Sequence, residues 1–214
     1  MLKRILAPLV LACALLALAG CTGQTAQEGA DSTSVSSGGN DAASSSDGSP
    51  AASEASDGKS IVVYFSATGT TEGVAERIAA ATGSDLYEII PADPYTTEDL
   101  NYNDNLSRTS VEMADESARP AIGSDPMDLS GYSTVYLGYP IWWGEAPRIM
   151  STFVESTDLS SMTIVPFCTS GGSSIGDSAK TLEQQAGTGI WTPGGRLSGS
   201  ASDDDIAAFV ERNR

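Results

Sequence analysis

Apolar residues fall into three regimes along the chain. A run from Ile5 to Leu18 comes first. A long tract with almost none follows. Five short bursts then alternate with amphipathic intervals. SIVVYFS (60–66) is continuous and rich in β-branched and aromatic residues, which predicts a strand buried on both faces. DLYEII (85–90), STVYLGYP (133–140) and MTIVPFC (162–168) predict three more strands, and IWTPGGRL (190–197) a weaker fifth. Helical stripes fill the gaps. Val74 and Ile78 lie four apart in a helix over about 70–81 that stops at Gly83. Ile149, Met150, Phe153 and Val154 share a face of a helix with Pro147 at its first position. Ile175, Ala179, Leu182 and Ala186 stripe the next. Ser202 with Asp205 starts a last helix bearing Ile206, Phe209 and Val210. Residues 91–130 break the rhythm: they are polar, carry four prolines, and hold only a weak helical pattern near 107–118. Five strand–helix units predict an α/β fold, a doubly wound five-stranded parallel sheet with helices on both faces. Ligands of such sheets sit beyond the carboxyl ends of the strands, at the switch in strand order.

The first two regimes set the organisation. Lys3 and Arg4 precede an apolar run too short to span a bilayer, as in a secretory signal peptide. It ends Leu18-Ala19-Gly20-Cys21, which resembles the lipobox of bacterial lipoproteins. That resemblance implies cleavage of residues 1–20 and lipidation of Cys21. Two acyl chains suffice for stable anchoring. The alternative is an ordinary secretory signal with an incidental cysteine. Residues 22–58 hold one Val, no Leu, Ile or aromatic, and no Lys or Arg. Such a tract cannot offset its ordering entropy and predicts a disordered acidic linker over 21–58, with an end-to-end distance of roughly 35 Å. Residues 59–214 remain as one domain. The expected location is extracytoplasmic, lipid-anchored to a bacterial membrane.

Composition excludes several chemistries. The net charge of −17 becomes −19 once Lys3 and Arg4 are removed, so no nucleic-acid partner is expected. There is no histidine, which excludes Ser-His-Asp and Cys-His catalysis and any histidine metal site. Cys168 is the one cysteine outside the leader and lipobox, so neither a disulfide nor a cysteine metal site is predicted.

Three strand-end loops carry the candidate chemistry. SATGTT (66–71) places Ser66, Thr68, Thr70 and Thr71 around Ala67 and Gly69 at a helix start. Hydroxyls and backbone N–H groups there suit a phosphate, and the absence of the GK[ST] ending argues against a nucleoside triphosphate. The alternative is a helix cap with spare threonines. YPIWWGEAP (139–147) sets Trp142 and Trp143 between Pro140 and Gly144, two of three tryptophans in the chain. CTSGGSS (168–174) is small, with Gly171 and Gly172 able to turn backbone amides toward a ligand, and no charged residue intrudes. Together they ask for a flat aromatic ligand with one phosphate tail.

On these loops the chain resembles the flavodoxin family, in the branch with PIWWG and CTSGG loops, over residues 59–212. The resemblance implies a flavodoxin-like fold and FMN as cofactor. The phosphate loop falls on Ser66, Thr68, Gly69 and Thr71, with Ala67 and Thr70 in the variable slots. The ring-edge loop falls on Pro140, Ile141, Trp142, Trp143 and Gly144. The second ring-side loop falls on Thr169, Ser170, Gly171 and Gly172. Expected roles follow. Thr68 and Thr71 donate to the phosphate with the amides of Gly69 and Thr70. Backbone groups of Ile141 and Trp142 meet the polar edge of the ring, and Trp143 stacks on it. The later loop lacks the tyrosine that many flavodoxins stack on the outer ring face, which leaves that face open. Segment 91–130, with DLNYND (99–104), Arg108, Glu112 and Arg119, resembles an extra segment beside the flavin pocket; its residues either shape a substrate site or only solvate a loop. The implied function is FMN-dependent electron transfer or oxidoreduction, with a redox protein or a small acceptor such as a quinone as partner. The alternative is a non-catalytic binding lipoprotein that keeps the fold without functional FMN.

Overall fold

The computed structural model describes residues 58–214. The expected signal peptide, Cys21 and the expected linker up to residue 57 lie outside the described residues.

Strands β1 (Lys59–Tyr64), β2 (Asp85–Glu88), β3 (Tyr132–Pro140), β4 (Thr163–Thr169), β5 (Ile190–Trp191) and β6 (Gly195–Arg196) form one parallel sheet. Its order is β2-β1-β3-β4-β5, with β6 also paired to β4. Side chains alternate between the faces with period two. Ile61, Val63, Val135, Leu137 and Ile164 face one side, where α3 (Arg148–Ser156) and α4 (Ser178–Ala186) cover them. Val62, Tyr64, Tyr136, Val165 and Phe167 face the other, under α1 (Thr70–Thr82) and α5 (Asp203–Arg212). This is why the central strands read as unbroken apolar runs: both faces are core. The doubly wound five-stranded arrangement is the one expected.

Several boundaries differ from the sequence reading, each for a local reason. The fifth strand is two short pieces rather than one run over 190–197. Ile164 and Trp191 pair, then Phe167 and Gly195, with a gap opposite Pro166. Pro166 has no N–H to give the ladder, and Gly194, at φ 62°, passes so close to the Pro166 carbonyl that a Cβ would collide with it. The third amphipathic helix starts at Arg148, one residue late. Pro147 is its N-cap, with extended ψ of 143°. The following helix starts at Ser178, so Ile175 packs on the core from the loop before it. The weak pattern near 107–118 becomes α2 (Arg108–Ala114), capped by the Ser107 hydroxyl accepting from Ser110 N. The Ser202–Asp205 capping box forms as expected.

Segment 91–130 is pinned rather than merely solvated. Arg108 donates to Glu112 Oε1 at 2.7 Å and to the Asp93 carbonyl at 2.8 Å, and its guanidinium sits 4.1 Å above the Tyr95 ring. Tyr95 donates to Glu112 Oε2 at 2.6 Å. Buried Arg148 donates from α3 to the Met113 carbonyl at 2.8 Å, closing the carboxyl end of α2. Arg119 grips Glu155 of α3 in a two-pronged pair, 2.8 and 2.7 Å.

Candidate functional site

β1 and β3 are neighbours, and the loops leaving their carboxyl ends turn to opposite faces of the sheet. Between them lies a cavity of about 480 Å³. The first loop lines it with Ser66, Ala67, Thr68, Thr70 and Thr71, and the second with Pro140, Ile141, Trp142 and Trp143. Leu100, Tyr102 and Thr109 complete the wall from segment 91–130. Leu100 and Tyr102 fall inside DLNYND. Thr109 carried no signal in the sequence, because its place depends on tertiary ties: its hydroxyl donates to the Asp99 carbonyl, and Arg148 of α3 holds the far end of α2.

The first loop leaves donors at a helix start without acceptors among the described residues. Gly69, at φ 81°, is the N-cap of α1, and no side chain caps the helix. Its first-turn amides therefore lack the usual intramolecular acceptor. The Ser66 hydroxyl oxygen is buried and has no hydrogen-bond partner among the described residues. A buried hydroxyl left unpaired costs about 1–3 kcal/mol, so the arrangement favours a ligand that bonds it. Thr68 and Thr70 are exposed, their hydroxyls 3.4 Å apart. Thr71 is different: it is buried, and its hydroxyl pairs with that of Thr169 at 2.8 Å. As a donor to a phosphate it is partly spent.

The second loop turns on a two-residue hairpin. Trp142 and Glu145 exchange both backbone hydrogen bonds, each 2.9 Å. Trp143 (φ 50°) and Gly144 (φ 86°) occupy the two central positions, as a type I′ turn requires. Trp143 is the one non-glycine residue at positive φ among the described residues. The two indoles part company here. Trp142 turns inward, edge-on to Phe65 (5.6 Å) and Tyr95 (5.4 Å). Trp143 stands on the cavity wall, 51% exposed. The expected roles of Ile141 and Trp142 need correction at their amides. Ile141 N donates to the Thr169 carbonyl at 2.9 Å and Trp142 N to Glu145, so neither is free for a ring edge.

The third loop is placed differently from the other two. Thr169 ties them together, holding Thr71 by its hydroxyl and Ile141 by its carbonyl. Ser170, Gly171 and Gly172 are not on the cavity wall. Nor is the loop free of charge: Arg196 of β6 donates to the Ser170 hydroxyl at 3.0 Å and its carbonyl at 3.2 Å. The sequence hid this because Arg196 reaches the loop only through the pairing of Cys168 with Arg196 across the sheet. Cys168 itself is fully buried, and burial pushes its thiol up to about 12. It is a packing residue, not a nucleophile.

The flavodoxin family model matches residues 59–213. A protein of Bacteroides eggerthii, provisionally classed as a flavoprotein, is 48% identical, with a TM-score of 0.69 over 73% of this chain and 98% of its own. A second such protein, from Bacteroides uniformis, is 45% identical, with a TM-score of 0.69 over 72% and 98%. A Lactobacillus acidophilus flavoprotein solved in complex with FMN shares the fold at 20% identity, TM-score 0.51, over 72% and 99%. No curated protein matches the chain. A family model spanning the whole described sheet, and a relative matched at nearly half its positions along almost its full length, agree with the strand order and the loop cavity: the chain belongs to the flavodoxin family.

Proposed function

We propose that the protein binds FMN in the cavity between the first two loops and serves as a membrane-tethered, extracytoplasmic electron-transfer or oxidoreductase protein. The observation that carries the reading is the orphaned Ser66 hydroxyl beside the uncapped start of α1, opening into an apolar cavity with Trp143 on its wall. A phosphate satisfies the first part and a flat ring the second. The FMN-bound Lactobacillus relative supports the choice of ligand.

The residues fit FMN as follows. Ser66 and Thr68, with the amides of Gly69 and Thr70, hold the phosphate; neutral donors at a helix start stabilise it without a lysine. Trp143 offers its indole to the ring. The Trp142 amide is consumed in the hairpin, which leaves the turn's central amides, Trp143 and Gly144, to face the ring edge. Trp142, Phe65 and Tyr95 form the rigid support behind the turn. The flavin, when bound, supplies the electron acceptance and donation that this chain's own side chains lack. Electrons pass to or from a redox protein or a small acceptor such as a quinone. FMN-loaded protein should be reduced by dithionite and regain its oxidised spectrum on adding a soluble quinone, with flavin retained throughout. Flavin that dissociates on reduction, or that stays oxidised, contradicts the redox role.

The tether completes the proposal. Lys59 opens β1 at the amino end of the sheet, whereas the cavity lies beyond the carboxyl ends of β1 and β3. Cys21→Ser should abolish acylation and release the protein from the membrane fraction. A mutant that remains acylated and partitions into detergent contradicts lipid anchoring at Cys21.

A further inference from the structure

We infer that Glu72, in the first turn of α1, is a built-in competitor for the ligand's phosphate. With the cavity empty, its carboxylate offsets the uncapped helix start; with FMN bound, it repels the phosphate held there. The inference rests on the FMN reading above. It adds a residue that sets how tightly the phosphate is held rather than where.

Three observations carry it. The first is position. Gly69, the N-cap of α1, has no side chain to offer the first-turn amides, and the positive end of the helix is left open. Glu72 is the one acidic residue in that turn, and its carboxylate folds back toward the N-cap. Its Oε2 lies 3.7 Å from where a Cβ on Gly69 would stand. The second is the lack of a counter-charge. Loop 66–71 holds no lysine or arginine. Arg77 of the same helix is spent on Asp203, at 2.8 Å, and Glu72 enters no ion pair among the described residues. The third is that its charge is felt nearby. Glu88 ends β2 beside Tyr64 of β1. Burial, then the Glu72 carboxylate, holds the Glu88 carboxyl above its ordinary range. Burial, followed by Glu88, Glu72 and Glu76, pushes Tyr64 up to about 12. A phosphate arriving at α1 therefore meets a helix start that already has an anion beside it. What the helix gives the phosphate is offset by repulsion from Glu72, and salt screens that repulsion.

The test is titration of the flavin-free full-length protein with FMN and with riboflavin, which shares the ring and lacks the phosphate, together with thermal melts of the flavin-free state. Glu72→Gln should tighten FMN by about three- to tenfold at low salt, with the gain shrinking as salt is added. Riboflavin should bind within about twofold of the parent. The flavin-free thermal midpoint should fall by about 1–3 °C, because the helix start loses its anion. Tighter binding joined to a less stable empty protein is the signature, since a merely structural glutamate would lower both. Glu183→Gln on α4 makes the same change of net charge away from the cavity and should leave FMN affinity within about twofold of the parent. Four results overturn the inference: Glu72→Gln binding FMN no tighter than the parent; equal gains for FMN and riboflavin; a flavin-free midpoint that holds or rises; or Glu183→Gln matching the gain. A parent protein that takes up neither flavin overturns the FMN reading itself, and this inference with it; a parent that binds FMN beside an unaltered Glu72→Gln overturns this inference alone.

Discussion

Trp142 and Trp143 are adjacent in the chain and do different work, and the turn between β3 and α3 is the reason. With Trp143 and Gly144 both at positive φ, successive side chains point to different sides of a tight hairpin. Trp142 packs edge-on to Phe65 and Tyr95; its loss should lower fold stability by about 2–3 kcal/mol, less than for a fully buried tryptophan. Trp143→Ala should leave stability unchanged or slightly raised, and should weaken FMN by about 1–3 kcal/mol. Thermal melts and flavin titrations of the two variants separate these roles, and a reversed pattern would mean the indoles have been assigned the wrong way round. At the other end of the cavity, a hydrogen bond to a charged group contributes about 1.5–3 kcal/mol. Ser66→Ala with Thr68→Ala should therefore weaken FMN by well over tenfold while leaving riboflavin nearly untouched. Equal losses for both ligands would remove the phosphate from that loop. Neither the type I′ turn nor the sharing of the Thr71 hydroxyl was legible in the sequence. A tryptophan is an unusual residue for the first central position of such a turn, where Asn or Asp is the common signal. Thr169, which engages Thr71, lies 98 positions away.

At the scale of elements, the strands were legible and the segment between β2 and β3 was not. Ile61–Phe65, Val135–Leu137 and Ile164–Val165 are all fully or almost fully buried, so their sequence carries the pattern directly. The Ser202–Asp205 box was equally plain, since every group in it lies within four residues. Segment 91–130 is held instead by partners far along the chain: Arg148 to Met113, Arg119 to Glu155, Thr152 to Pro120. No local period records such contacts, and polar composition then reads as solvation. Arg148 is the strongest of these ties. It is 7% exposed and feeds carbonyls at the negative end of α2. Arg148→Met should cost about 1.5–3 kcal/mol of stability and speed hydrogen exchange in residues 108–114 ahead of the sheet. Unchanged exchange there would show that α2 stands without it. The Arg119–Glu155 pair is about a third exposed, 30% and 38%, so its removal should cost no more than about 1 kcal/mol despite its good geometry.

For the whole molecule, acidity sets the response to pH. Hydrogen bonds from nearby backbone amides and hydroxyls hold Asp99, Asp115, Asp128, Asp158 and Asp205 below the usual aspartate range, and Tyr132 with Lys59 does the same for Asp85. A carboxyl group whose folded value is depressed stabilises the fold above its unfolded value, near 3.9, and loses that contribution as pH falls through the folded one. The thermal midpoint should accordingly drop on acidification below about pH 4. Glu88 has the opposite sign. Burial, reinforced by Glu72, raises it, so its ionised form opposes folding at neutral pH and Glu88→Gln should raise the midpoint there. A lower midpoint for that variant would mean that Glu88 has a stabilising partner. Cys168, pushed up to about 12 and fully buried, should resist iodoacetamide at pH 8 until the protein unfolds. These groups belong to the scaffold; the cavity at the carboxyl ends of β1 and β3 is where FMN is proposed to bind. The most direct measurement is titration of FMN into flavin-free full-length protein, following flavin emission and tryptophan emission together. Saturation at one FMN per chain is expected, with a Kd of about a micromolar or tighter and quenching of both signals as Trp143 meets the ring. Emission that stays at the free-flavin level through the titration, with tryptophan emission unchanged, would contradict it.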